Sequence, residues 1–217
     1  MLQTILNDLQ ATGTQLVAVS KTKSPAEILK LYEQGQRDFG ENKVQELVPK
    51  HEALPGDIRW HFIGHLQTNK VKHIASFIHL IHAVDSWEVL KEIDKQAKKQ
   101  RRIIHGLLQF KIAQEETKYG FNLEEAQAVL QTEDFQRLTN IRLKGVMGMA
   151  TFTEDDNQVR QEFQQLKTIF EQLKNQYFLN YQDFEEISMG MSGDYKIAVE
   201  EGSTMVRIGT LLFGKRI

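Results

Sequence analysis

Cysteine is absent from the 217 residues. That removes disulfides, thiolate nucleophiles, iron–sulfur ligation and cysteine–zinc sites together, and it suits a reducing cytoplasm, where the protein is expected to reside. Proline occurs only three times, and no stretch is rich in proline, glycine or serine, so nothing reads as a linker between domains. No run approaches the roughly 18 continuous apolar residues of a membrane span. The first residues, Met1-Leu2-Gln3-Thr4-Ile5-Leu6-Asn7-Asp8, lack the basic-then-apolar order of a signal peptide. The formal charge is −2 with basic residues spread along the chain, which argues against general attraction to nucleic acid. A membrane and a nucleic acid are therefore not expected as partners. What is present, 41% hydrophobic and 26% charged residues, fits one globular domain over residues 1–217.

Short β-rich runs alternate with longer amphipathic ones. The strand-like segments are 16–19, 38–40, 60–63, 80–84, 103–110, 143–147, 186–189 and 205–208. The segments between them carry helix signals. Ser24-Pro25-Ala26-Glu27 offers an N-cap, a first-turn proline and a capping-box glutamate. Asn122-Leu123-Glu124-Glu125 and Asp85-Ser86-Trp87-Glu88 repeat the pattern. Trp87, Leu90, Ile93 and Ala97 then share one helical face, as do Phe163, Leu166, Ile169, Phe170 and Leu173. Eight strand–helix alternations predict an α/β fold, a single (β/α)8 TIM barrel, with an open doubly wound sheet as the competitor.

A barrel places its chemistry at the C-terminal ends of its strands and binds phosphate after strands 7 and 8. Lys21 directly follows the first strand, where a desolvated amine can attack an aldehyde. It is one of 27 Lys and Arg residues, so a solvent-facing strand end is the plain alternative, and Lys23 differs from it only in spacing. Gly209-Thr210 ends the eighth strand with a close-approach glycine and a hydroxyl. Ser192 lies among glycines after the seventh, before a helix expected near Asp194. Each turn also reads as ordinary strand-ending or helix-capping structure. Asn42 reads either as a helix N-cap or as a residue of the barrel mouth. His61 alternates with Ile63 and faces the barrel interior; the other histidines read as structural or exposed. His61 and His65 are four apart with no carboxylate at ligand spacing, so no metal site is expected.

At these residues the sequence resembles the pyridoxal phosphate homeostasis proteins of the YggS/PROSC type. The motifs, in order, begin with Ala18-Val19-Ser20-Lys21 and Phe39-Gly40-Glu41-Asn42-Lys43-Val44-Gln45-Glu46. Then comes the long and specific Trp60-His61-Phe62-Ile63-Gly64-His65-Leu66-Gln67-Thr68-Asn69-Lys70. Gly145-Val146-Met147-Gly148-Met149, Ser188-Met189-Gly190-Met191-Ser192-Gly193-Asp194 and Val206-Arg207-Ile208-Gly209-Thr210 follow. The resemblance implies a barrel like the N-terminal domain of alanine racemase, with pyridoxal 5′-phosphate (PLP) as a Schiff base on Lys21. It implies phosphate contacts from Ser192, Gly209 and Thr210, Arg207 facing the pyridine nitrogen, and Asn42, His61 and Met147 lining the pocket.

The function implied is storage and delivery of PLP, with an influence on amino-acid and keto-acid balance, by a monomer that is not a strong enzyme. The eight units use up the chain, leaving no evident second acid or base across the cofactor. A guanidinium at the ring nitrogen donates and cannot accept a proton, which weakens the ring as an electron sink. PLP-dependent apoenzymes or a regulatory protein are the expected partners. The alternatives are a weak racemase, a Schiff-base aldolase acting on a sugar phosphate, and a regulatory module whose cofactor reports to a partner.

Overall fold

Parallel strands buried on both faces need cover inside and out. Val17 and Ala18 of β1 (Gln15–Val19) and every residue of β4 (Leu80–Val84) are buried in this way. The computed structural model describes residues 1–114 and 119–214. After α1 (Leu2–Gln10) and β1 come α2 (Pro25–Tyr32), β2 (Asp38–Glu41), α3 (Val44–Ala53), β3 (Arg59–Phe62), α4 (Thr68–Ile74), β4 and α5 (Trp87–Lys99). Next are β5 (Ile104–Phe110), α6 (Leu123–Leu130), α7 (Glu133–Gln136), β6 (Ile141–Gly148) and α8 (Asp156–Tyr177). The last are β7 (Glu186–Ser188), α9 (Tyr195–Glu200), β8 (Met205–Ile208) and α10 (Thr210–Phe213). The strands close into one parallel barrel in sequence order. β1 pairs with both β2 and β8, opposing Val17 to Arg207 and Ala18 to Ile208, which excludes the open sheet.

The local signals act as chemistry requires. Ser24 and Asn122 each form a full capping box. Leu90, Ile93 and Ala97 are buried under α5, and Phe163, Leu166, Ile169, Phe170 and Leu173 under α8. Two cap assignments change. Ser86, not Asp85, caps α5 by accepting from Val89 N–H, because Asp85 is drawn to His65. Lys43 precedes α3, so Asn42 is not its cap.

The barrel interior is part apolar and part polar. Val17, Leu80, Ala83, Leu107, Met147 and Met205 form one buried cluster. Beside it a chain of polar side chains crosses the interior. Asp38 Oδ1 lies 3.0 Å from His61 Nε2, and His61 Nδ1 lies 2.9 Å from His82 Nε2. His82 Nδ1 is 2.9 Å from Ser188 Oγ, to which Arg207 Nη1 donates at 2.6 Å. Arg59 donates to both Asp38 oxygens, at 2.7 and 2.5 Å. Burial opposes ionisation of Asp38, but the hydrogen bonds from His61 and Arg59 outweigh it and hold its carboxyl well below the usual range. Burial keeps His82 far below the usual imidazole range, so its ring is neutral.

One backbone position is irreplaceable. β6 slips register against β5 after Leu143, and Gly145 there adopts φ +148° against Glu186. A Cβ at Gly145 would overlap the Glu186 carbonyl oxygen. Gly145→Ala is expected to destabilise the fold by about 3 kcal/mol or more, seen as a lower urea midpoint. A midpoint like that of the native protein would contradict this reading. A second expectation concerns acid. Desolvation pushes the His79 ring, which packs against His61 and His105, down to about 4. Between pH 6.5 and 4 the unfolded chain therefore binds the extra proton and the folded one does not, so stability falls as pH drops through that window. His79→Gln should flatten this decline in urea titrations at graded pH.

Candidate functional site

Lys21 owes its position to a buried ion pair. Ser20, immediately before it, is fully buried and donates its hydroxyl to Glu41 Oε1 at 2.6 Å. Lys50 Nζ donates to the same oxygen at 2.7 Å and to the Ser20 carbonyl at 2.9 Å. Burial raises the Glu41 carboxyl although Lys50 and Ser20 both favour its charge, and its Oε2 has no hydrogen-bond partner. Beyond Lys21, Thr22 adopts φ +67°, unfavourable for a β-branched residue, and its N–H donates to Glu46 Oε2 at 2.7 Å. Lys23 N–H closes the turn on the Ser20 carbonyl at 3.0 Å. Three anchors from β2 and α3 thus fix the turn that carries Lys21.

That turn borders a cavity of about 500 Å³ at the C-terminal mouth of the barrel, within the range of small-ligand sites. Lys21, Asn42, Ser192, Arg207, Gly209 and Thr210 are brought together in its wall. Gly64 fits so closely against Asn42 that a Cβ there would lie 2.6 Å from the Asn42 carbonyl oxygen. This packing holds Asn42 in the wall. Gly209 N–H donates to Ser192 Oγ at 3.3 Å and joins the two turns after β7 and β8. A Cβ on Gly193 would meet nothing within 4 Å, so the turn after β7 leaves open space above its backbone.

His61 and Met147 are placed elsewhere. Both are fully buried in the barrel interior, outside the cavity wall. His61 belongs to the polar chain and Met147 to the apolar cluster, because the inward faces of β3 and β6 point below the mouth. Lys23 also lines the cavity, but its ammonium is engaged by Glu27 and by the Phe213 carbonyl, each at 3.3 Å. Asp156 and Asp194 are the carboxylates of the wall; the sequence marks Asp194 only as the start of a helix and does not single out Asp156. Asp194 Oδ1 accepts from Met191 N–H at 2.5 Å and so serves the turn after β7.

Arg207 is the notable charge. It is 3% exposed, and its hydrogen bonds go to two neutral acceptors, Ser188 Oγ and the Gly148 carbonyl at 2.9 Å. Burial pushes its guanidinium down to about 10, with Asp194 opposing the shift, so it stays charged at neutral pH. A buried cation held by neutral acceptors favours an electron-rich ligand atom in the cavity. An amine, a guanidinium, two hydroxyls, an amide and glycine turns form a donor set that fits a phosphorylated pyridine aldehyde.

Two other clusters lie near strand ends. His65 Nδ1 and Asp85 Oδ2 are 2.6 Å apart, with Tyr119 stacked on the imidazole at 3.8 Å. At the opposite end, Asp38, His61 and His79 place ligand atoms within 4.8 Å of one another, so the fold brings His61 the carboxylate it lacks in sequence. Arg59 already occupies both Asp38 oxygens, and a metal cation would have to displace it.

Comparison with known proteins agrees with this geometry. The model of the alanine racemase N-terminal domain matches residues 2–216. A pyridoxal phosphate homeostasis protein of Aquifex aeolicus is 39% identical over 93% of this chain and 87% of its own. One of Homo sapiens is 37% identical over 96% and 79%. The structure of PipY from Synechococcus elongatus PCC7942 with PLP bound superposes with a TM-score of 0.86 at 33% identity, covering 99% of this chain and all of that one. Alanine racemase from Bartonella henselae, at 17% identity and a TM-score of 0.73, shares the fold, and this chain spans 61% of it. Matched by family model, by relatives and by solved structures over nearly its full length, this chain belongs to the pyridoxal phosphate homeostasis protein family, built on the alanine racemase N-terminal barrel.

Proposed function

We propose that the protein binds pyridoxal 5′-phosphate as a Schiff base on Lys21 and serves in PLP homeostasis, storing the cofactor and delivering it. The observation that carries this reading is the meeting, in one cavity, of the amine after β1 with the hydroxyl-glycine turns after β7 and β8. When bound, the cofactor supplies an aldehyde that condenses with amines and a ring that draws electrons from them. Lys21 presents the amine from an anchored turn. Ser192, the Gly209 backbone and Thr210 hold the phosphate. Arg207 donates toward the ring nitrogen and, having no lone pair, cannot take a proton from it. Asn42, packed against Gly64, closes one side of the pocket.

The reading is of a carrier rather than an enzyme. The other ionisable residues of the wall have structural partners or sit at the rim. Lys23 is tied to Glu27, Asp194 holds its own turn, and Asp156 is exposed at the start of α8. The relatives are named for homeostasis rather than for a reaction. In this reading a cytoplasmic monomer gives up its cargo to apoenzymes, or exposes its loaded state to a regulatory protein.

The purified protein mixed with PLP is expected to turn yellow, and borohydride reduction to fix a pyridoxyl group on Lys21, found by peptide mass mapping. Lys21→Ala should abolish both. Label on another lysine would overturn the assignment, and robust turnover of an amino acid would replace the carrier with an enzyme. Ser192→Ala and Thr210→Val are each expected to weaken PLP binding roughly tenfold without moving the label, read by spectral titration.

A further inference from the structure

The polar chain through the barrel joins Arg207 to the opposite end of the molecule, and its chemistry allows one direction. Arg207 has donors only, and Asp38, ionised and held by Arg59, has acceptors only. Ser188 Oγ has two hydrogen-bond partners, Arg207 Nη1 and His82 Nδ1. It accepts from the arginine, so its single hydrogen has one acceptor available, His82 Nδ1. A neutral His82 accepting at Nδ1 carries its proton on Nε2 and donates to His61 Nδ1 at 2.9 Å. His61 then carries its proton on Nε2 and donates to Asp38 Oδ1 at 3.0 Å. Every hydrogen in the run is accepted and every bond points from β8 toward β2. The competing state, with His61 doubly protonated, reverses His82. It leaves the Ser188 hydroxyl hydrogen without an acceptor in a site with no exposure, and it places a second cation in the same interior as Arg207.

We propose that Asp38, His61, His82 and Ser188 form a one-directional hydrogen-bonded relay that positions the Arg207 guanidinium at the cofactor pocket. The relay rests on the reading of Arg207 as the partner of the ring nitrogen. Ser188 and the Gly148 carbonyl take one hydrogen from each terminal nitrogen of Arg207 and fix the plane of the group. The remaining N–H groups are thereby left for the cavity. Ser188 keeps its place because its own hydrogen is claimed by His82, and His82 keeps its tautomer because His61 is claimed by Asp38. His61, Asp38 and His82 are positioning residues that touch no ligand. The relay also requires that the ring nitrogen meet a donor and never a base, since no link in it can turn toward Arg207.

Long-range 1H–15N correlation spectra of the protein without cofactor, labelled on histidine and assigned by single substitutions, test the direction. His61 and His82 are both expected as neutral rings protonated on Nε2 at pH 7. A proton on Nδ1 of either ring, or a doubly protonated His61, overturns the proposal. Titration with PLP tests the positioning. His82→Leu removes the acceptor of Ser188 and should weaken binding roughly tenfold and shift the visible band of the bound cofactor. His82→Asn, which restores an acceptor near the Nδ1 position, should return both toward the native values. Unchanged affinity and band in a folded His82→Leu overturns the positioning role. Should His82→Leu not fold, the native spectra still decide. Absence of any PLP binding by the native protein would defeat the underlying reading of the site and leave the tautomer result standing on its own.

Discussion

The hydrogen-bonded ladder between β1 and β8 is the constraint on which the site depends. It sets Val17 against Arg207 and Ala18 against Ile208. That register makes the turns leaving the two strands neighbours, so Lys21 shares the cavity wall with Gly209 and Thr210. The side-chain period of a strand is two, so a slip of one residue in this seam would turn Arg207 toward the helix layer and its neighbours Val206 and Ile208 toward the barrel interior. Barrel closure and site assembly are therefore one event, and the packing of α1 on β1 and of α9 on β8 backs the seam.

Within the closed barrel, polar groups are tolerated because they are joined. A lone buried histidine or guanidinium costs several kilocalories per mole in desolvation, whereas a fully connected run of donors and acceptors recovers much of that. Charge is compensated at the Asp38 end by Arg59 and supported at the Arg207 end by neutral acceptors. The asymmetry leaves net positive character beside the cavity. A similar economy governs Lys21, whose turn is drawn tight by Glu41 and Lys50, a pair 0% and 8% exposed at the side chain. Both devices hold buried charge on fixed partners, the guanidinium in the cavity wall and the Glu41–Lys50 pair behind it.

Much of this was legible in the chain. Strand positions came within two residues because buried strands read as short apolar, aromatic or β-branched runs between helix signals, and Ser24 and Asn122 announced their helices through capping boxes. Lys21, Ser192, Gly209 and Thr210 are expected at the mouth from the rule that barrel chemistry gathers at strand ends, and Arg207 from family resemblance; the five share one cavity wall. Asn42 was ambiguous because an amide caps helices and lines pockets equally well. Asp85 was misread as a cap because its partner, His65, is twenty residues away in sequence and joins it only across β3 and β4. His61 and Met147 were assigned to the pocket although they lie deeper, since alternation along a strand tells which residues face inward but not at which level. The His82–Ser188 contact was invisible because it is a meeting of distant segments that only strand register creates, and the Glu41–Lys50 pair because it depends on how α3 docks back on β2. A polar residue inside an apolar strand, as His82 and Arg207 both are, was the available signal.

The seam also has a consequence in time. β1 is made early and its partner β8 close to the end of this chain. A growing polypeptide on the ribosome thus holds Lys21 long before it holds Arg207, Gly209 or Thr210. Sheet growth can proceed from β1 through β7 as each strand emerges, but the first strand keeps an open edge until the last arrives. Cofactor binding therefore waits on closure of the barrel, since the cavity wall draws on the turns after both β1 and β8.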